Sequence, residues 1–199
     1  MVDSRLRSPR YPLLDAHGFL ERTFVWLESG IDIGVFYAAL DLRFVLEKTV
    51  LKHALASQNY SKKFNKKNWQ LFELYKDLKE EFAPRIDLTK AYEFYFGGTD
   101  TAQQVGSYLP MSDALFADYG RLSDLLHAQW AIPFHTPDRK WLSEKQAFVS
   151  GLATKLISHA NPKNSLNFLS VPGARFVEID WSVLEATLKS YWGIGESHA

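Results

Sequence analysis

The chain has 199 residues, 46% of them hydrophobic and 15% aromatic, with 23 basic and 23 acidic side chains and no net charge. That length and apolar content suit one soluble domain able to bury roughly 70% of its unfolded surface. The lack of cysteine excludes disulfides and thiolate metal sites, and the even charge argues against coating nucleic acid by bulk attraction while leaving room for a local basic site.

Residues 1–14 carry Pro9 and Pro12 among scattered arginines and read as an irregular arm with no apolar signal-peptide run. A first helix is expected from Asp15, its N-cap, to Ser29, ending at Gly30, with Phe19, Phe24, Trp26 and Leu27 on its apolar side. His17, in its first turn, reads as solvated or capping. The stretch Ile31 to Leu55 is apolar nearly all round, as a central helix would be. Asp41, Lys48 and Lys52 fall on one narrow stripe, taken as its wet face. Arg43 and Glu47, one turn apart, fall on the opposite side and are expected to point inward. There they form a mutual ion pair that sets register or support a polar site. No apolar run is long enough to span a membrane, and a cytoplasmic location is expected.

Lys62, Lys63, Lys66 and Lys67 surround Phe64 and lead to Trp69. Such a run can hold a phosphate chain and stack a base, or form a solvated loop or helix start. Trp69 to Phe82 reads as a helix with Leu71, Phe72, Tyr75 and Leu78 in its stripe. Between Ala83 and Pro110, Tyr92, Phe94 and Phe96 alternate with Glu93 and Tyr95, which fits a short strand ended by Gly97-Gly98 or a short helix capped by them. Ser112 opens a helix that Pro133 stops. Ser143 and Gln146 can form a capping box for a helix to Ala160, with Phe148, Leu152 and Leu156 as its buried row. Arg175 to Ile179 suits a short strand, and Asp180 caps a last helix stopped by Gly193. The expected class is mainly α, a single domain over 1–199.

The helix from Ser112 carries the most chemistry. Leu115, Tyr119, Leu122 and Leu126 recur at four, three and four residues, the expected core stripe. Arg121, Asp124 and His127 wind along the other side. On a straight helix Arg121 and His127 stand about 120° and ~9 Å apart, so one helix cannot close both on a single small atom. A bent helix, a long arginine side chain or a second copy of the helix could. His127 and His135 with Asp124 make no metal site across Pro133, and no His-Glu-x-x-His pattern occurs. Ser–His–Asp hydrolysis finds neither a Gly-x-Ser-x-Gly turn nor an α/β pattern here.

The run Arg-Leu-Ser-Asp-Leu-Leu-His, residues 121–127, resembles the signature of the HEPN superfamily: an arginine, four to six residues, then a histidine, within a helix of an all-α bundle. The upstream run ALDLRFVLEK is similar to that family's long helix, which often carries an Arg-x-x-x-Glu pair, here Arg43 and Glu47. The resemblance covers 15–130, implying a helical core there and a C-terminal helical extension, with short β elements, over 131–199. Leu122 departs from the pattern, since many active members carry Asn or Asp directly after the arginine.

The resemblance implies a metal-independent endoribonuclease, a toxin or phage-defence component, needing no cofactor and no metal. It acts as a homodimer on RNA, with a protein antitoxin or other partner. Each protomer would give one Arg and one His to a shared cleft. His127 is then the acid or base that moves protons at the 2′-hydroxyl and the leaving 5′-oxygen, and Arg121 stabilises the phosphate. Asp124, or Glu47 with Arg43 beside it, would orient His127. Lys62, Lys63, Lys66 and Lys67 would bind the RNA strand. The alternative is a non-catalytic homodimeric module of the same type that binds protein or RNA.

Overall fold

A computed structural model describes residues 15–56, 71–98, 102–128 and 138–190. The expected arm at 1–14, the four lysines at 62–67, Trp69, Pro133, His135 and Gly193 lie outside those residues. The described chain is mainly helical with one small antiparallel sheet. In order it forms α1 (Ala16–Glu28), α2 (Gly34–Leu55), α3 (Leu71–Phe82), β1 (Ala91–Phe96), β2 (Gln103–Tyr108), α4 (Asp113–Ala128), α5 (Arg139–Ala160), β3 (Arg175–Ile179) and α6 (Trp181–Ser190).

Two compact units divide the chain, each assembled from two stretches: 1–48 with 113–160, and 49–112 with 161–199. In the first unit α5 packs on α1.

In the first unit the Asp15 side chain accepts the Gly18 N–H and caps α1. Gly30, at φ 67°, lets the chain leave the helix. Gly34 must be glycine for another reason: a Cβ there would stand 2.8 Å from the Trp26 carbonyl oxygen. The buried side of α1 is Ala16, Phe19, Leu20, Arg22 and Thr23, with Phe24, Trp26 and Leu27 only half-buried.

Arg22 reaches across to α2, and here the expected orientation of that helix fails. Asp41, assigned to the wet stripe, is 2% exposed. Arg22 Nε donates to its Oδ2 at 2.6 Å, and the Arg22 Nη2 pairs with Oδ1. Lys48 and Lys52 are half-buried, and so are Arg43 and Glu47, which flank the helix instead of pointing into the core. Hydropathy treats every charge as water-seeking. A bidentate partner on another helix reverses that for Asp41, and hydropathy cannot register it.

In α5 the cap is Asp138, whose carboxylate accepts the Lys140 N–H, so the helix begins a turn before the expected Ser143–Gln146 box. Both of those side chains are exposed within the helix. Its buried row is Leu142, Val149, Leu152, Ala153, Leu156 and Ile157, with Phe148 only half-buried at its edge.

The second unit centres on a sheet of order β2-β1-β3. The alternation at Tyr92, Phe94 and Phe96 is a strand, β1, and not a short helix. Phe94 faces Gly106 on β2 and Phe176 on β3. A register shift follows Phe94, where Tyr95 pairs with Gln104. β2 was not anticipated, since QQVGSY has neither alternation nor β-branched density. Beyond it, Ser107 exchanges backbone hydrogen bonds with Lys163 and Ser165. Ala91, Leu109, Leu184 and Leu188 close a small core under α6, whose cap Asp180 accepts the Ser182 N–H.

In α3 the stripe is Leu71, Leu74, Tyr75, Leu78 and Phe82, whereas Phe72 is exposed. The Tyr75 and Tyr108 hydroxyls both donate to the Leu88 carbonyl, at 3.0 and 2.9 Å. Burial pushes the Tyr108 phenol well above its ordinary range. His53 lies edge-on to the Tyr108 ring at 5.1 Å and is fully buried. His159 is buried too. Among the described residues no helix is long and apolar enough to cross a membrane.

Candidate functional site

Helix α4 turns a row of Leu115, Asp118, Leu122 and Leu125 inward. The expected row of Leu115, Tyr119, Leu122 and Leu126 is rotated by part of a turn, and Tyr119 and Leu126 are half-buried on its flank. The rotation puts a carboxylate, Asp118, where an apolar side chain was expected. Arg121, Asp124 and His127 all remain exposed.

Arg121 is held from two sides. Its Nη1 donates to Asp118 Oδ1 at 3.0 Å, and its guanidinium carbon lies 3.8 Å from the centre of the Phe148 ring on α5. Lys155 approaches the other Asp118 oxygen at 3.5 Å. The buried carboxylate therefore aims two cations outward, and the Arg121 side chain stays 60% exposed. A guanidinium has five N–H donors, so this one ion pair leaves most of them facing solvent. Arg121, Asp124 and Leu125 line a cavity of about 250 Å³ with Trp141, Lys145 and Phe148 of α5.

His127 opens onto a different cavity. With Leu126 of α4 it lines a space of about 310 Å³ against Ile33, Phe36, Tyr37, Leu40 and Arg43. Tyr37 stacks on Trp26 with ring centres 4.8 Å apart, while Ile33 and Tyr37 remain exposed. Within one chain, then, the arginine that shares a cavity with His127 is Arg43 and not Arg121.

Arg43 is itself fixed. Its Nε donates to Glu47 Oε1 at 3.0 Å, and its guanidinium lies 5.3 Å from the Tyr119 ring centre. The Tyr119 hydroxyl donates to the same Glu47 oxygen at 2.9 Å. Burial, together with the Glu47 hydrogen bond, pushes the Tyr119 phenol up to about 12. Burial works against the Arg43 cation, but the hydrogen bonds and charges of Glu47 and Tyr119 together outweigh it, so its pKa rises.

Of the residues expected to orient His127, Glu47 is engaged by Arg43 and Tyr119, and Asp124 lies in the cavity of Arg121. No hydrogen bond joins either to His127 among the described residues. Lys62, Lys63, Lys66 and Lys67 lie outside them. Among the described residues no group of three His, Cys, Asp or Glu side chains could hold a metal ion.

Sequence reasoning missed Asp118, Trp141 and Lys145 as parts of this surface. The i,i+3 spacing of Asp118 and Arg121 was the available signal. The i,i+4 and i,i+3 steps from Trp141 through Lys145 to Phe148, on one face of α5, were another. No family model, no curated protein and no solved structure matches the chain.

Proposed function

We propose that the first unit is a HEPN-type ribonuclease domain that works as a homodimer and cleaves RNA without a metal ion. His127 moves the protons at the 2′-hydroxyl and the leaving oxygen, and Arg121 steadies the charge that builds on the phosphate. The observation that carries this reading is that both side chains stand exposed at the mouths of open cavities on one helix, instead of being closed inside the core. The two cavities are distinct, so a shared cleft would take Arg121 from one copy and His127 from another. Arg43, braced by Glu47, adds a second cation on the His127 side. A toxin or phage-defence role with a protein partner follows from the family resemblance.

A second reading has its own support. Arg121 already has a carboxylate partner and an aromatic stack, and Leu122 stands where many active members of the resembled family carry Asn or Asp. Those features suit a homodimeric module that binds RNA or protein and does not cut.

A fluorescent single-stranded RNA assay separates them. His127→Ala is expected to lower cleavage by ~10²–10⁴-fold, Arg121→Ala by a similar amount through the phosphate, and chelator by nothing. DNA should resist for want of the 2′-hydroxyl. Intact RNA after wild-type treatment would overturn the ribonuclease reading. RNA binding lost on Arg121→Ala would then support the module.

A further inference from the structure

The cavity between α4 and α5 combines three kinds of surface. Trp141 and Phe148 supply aromatic lining, and Leu125 adds an aliphatic side chain. Two cations stand at those rings: Arg121 at 3.8 Å from the centre of Phe148, and Lys145 at 5.5 Å from that of Trp141. The third is Asp124, exposed and without a hydrogen-bond or ion-pair partner among the described residues. Asp118, below, takes one Arg121 N–H and keeps that guanidinium in place.

Each simple ligand leaves part of this surface unused or opposed. A metal cation would be repelled by Arg121 and Lys145. A lone phosphate would satisfy the cations but meet the Asp124 charge and ignore the rings. An alkyl chain would leave three charges unmatched. A nucleotide uses all three surfaces, provided its base offers hydrogen-bond donors to a carboxylate. Among the four RNA bases, only guanine presents two adjacent donors, N1–H and the N2 amine, on its Watson–Crick edge. Adenine offers one donor beside an acceptor that a carboxylate would repel. The volume of about 250 Å³ is below the ~300–1,000 Å³ usual for larger ligands, and suits one base with its phosphate at the rim. Unpaired bases are read in this manner, by stacking on aromatic rings and by hydrogen bonds to the exposed edge.

We infer that this cavity is a subsite for one unpaired guanine nucleotide, stacked on Trp141, read by Asp124, with its phosphate on Arg121 and Lys145. The inference rests on the reading of the first unit as an RNA-acting domain and names the base that reading leaves open.

Calorimetric titration of the full chain with 5′-GMP, 5′-AMP and inorganic phosphate tests it. GMP should bind at least about tenfold tighter than AMP, since a wrong base edge leaves the carboxylate unmatched, and phosphate should bind more weakly than either. Trp141→Ala should weaken GMP binding about tenfold or more, the usual worth of one stacked base. Asp124→Asn, at an exposed position and of the same shape, should remove the preference for GMP over AMP. Equal affinity for GMP and AMP in the wild type, or a preference that survives Asp124→Asn, overturns the inference. The RNA assay keeps the two proposals apart. His127-dependent cleavage without GMP selectivity sinks only the guanine site. GMP selectivity lost on Asp124→Asn, beside uncut RNA, supports the guanine site and sinks only the nuclease.

Discussion

Asp41 and Glu47 stand on the same helix, yet their environments assign them different work. Asp41 is enclosed with Arg22, itself only 8% exposed. Burial pushes the Asp41 carboxyl above its ordinary value, although the Arg22 hydrogen bond pulls the other way. Its folded pKa therefore exceeds the free value of 3.8, and its own ionisation weakens the fold as pH rises through the folded value. The pair sets which side of α2 meets α1, and the contribution of this shift is fullest below the free value and lost as pH rises. Asp41→Ala strands a buried guanidinium and should cost ~3–5 kcal/mol in urea unfolding, whereas replacing both partners with apolar residues should recover most of that. Glu47 is half-buried among Arg43 and Tyr119, and Glu47→Ala should cost only about 1–2 kcal/mol. Equal losses at the two positions would show that α2 does not turn Asp41 inward.

Among the elements, α5 best shows how a local signal can be real and yet misplaced. Ser143 and Gln146 have capping-box spacing, but both lie exposed within the helix, and Asp138 supplies the cap to the Lys140 N–H. Asp138→Ala should therefore cost ~1 kcal/mol, and Ser143→Ala should be close to neutral or slightly stabilising. Thermal or urea unfolding of the two variants checks this, and the reverse order would restore the later start. The added turn matters for function, because it makes Trp141 helical and sets it one and two turns before Lys145 and Phe148.

For the whole molecule, the proposed cleft depends on association. Arg121 and His127 line different cavities of one chain, so a single protomer does not bring them onto one phosphate. Light scattering at micromolar concentration should give about twice the 22.8 kDa of the chain. A monomeric mass would sink the shared-cleft mechanism while leaving the guanine subsite, which one protomer completes.

The helices, most of their ends and two of the three strands were legible in the sequence because their causes are local. Apolar spacing marked most of the helices, Asp15 and Asp180 announced their caps, and alternation at Tyr92 to Phe96 offered β1 as a strand beside a short helix. β2 was not legible, since its strand identity comes from pairing with β1 and not from its own residues. The exposure of Arg121, Asp124 and His127 on α4 was legible from the same periodicity. What the tertiary structure alone decided is which charges meet. Asp41 turns inward because Arg22 comes from another helix, and Arg121 is aimed by Asp118 and the Phe148 ring. Asp124 falls beside Arg121, while His127 falls beside Arg43. Hydropathy and spacing read one element at a time, whereas burying a charge depends on the partner another element brings to it.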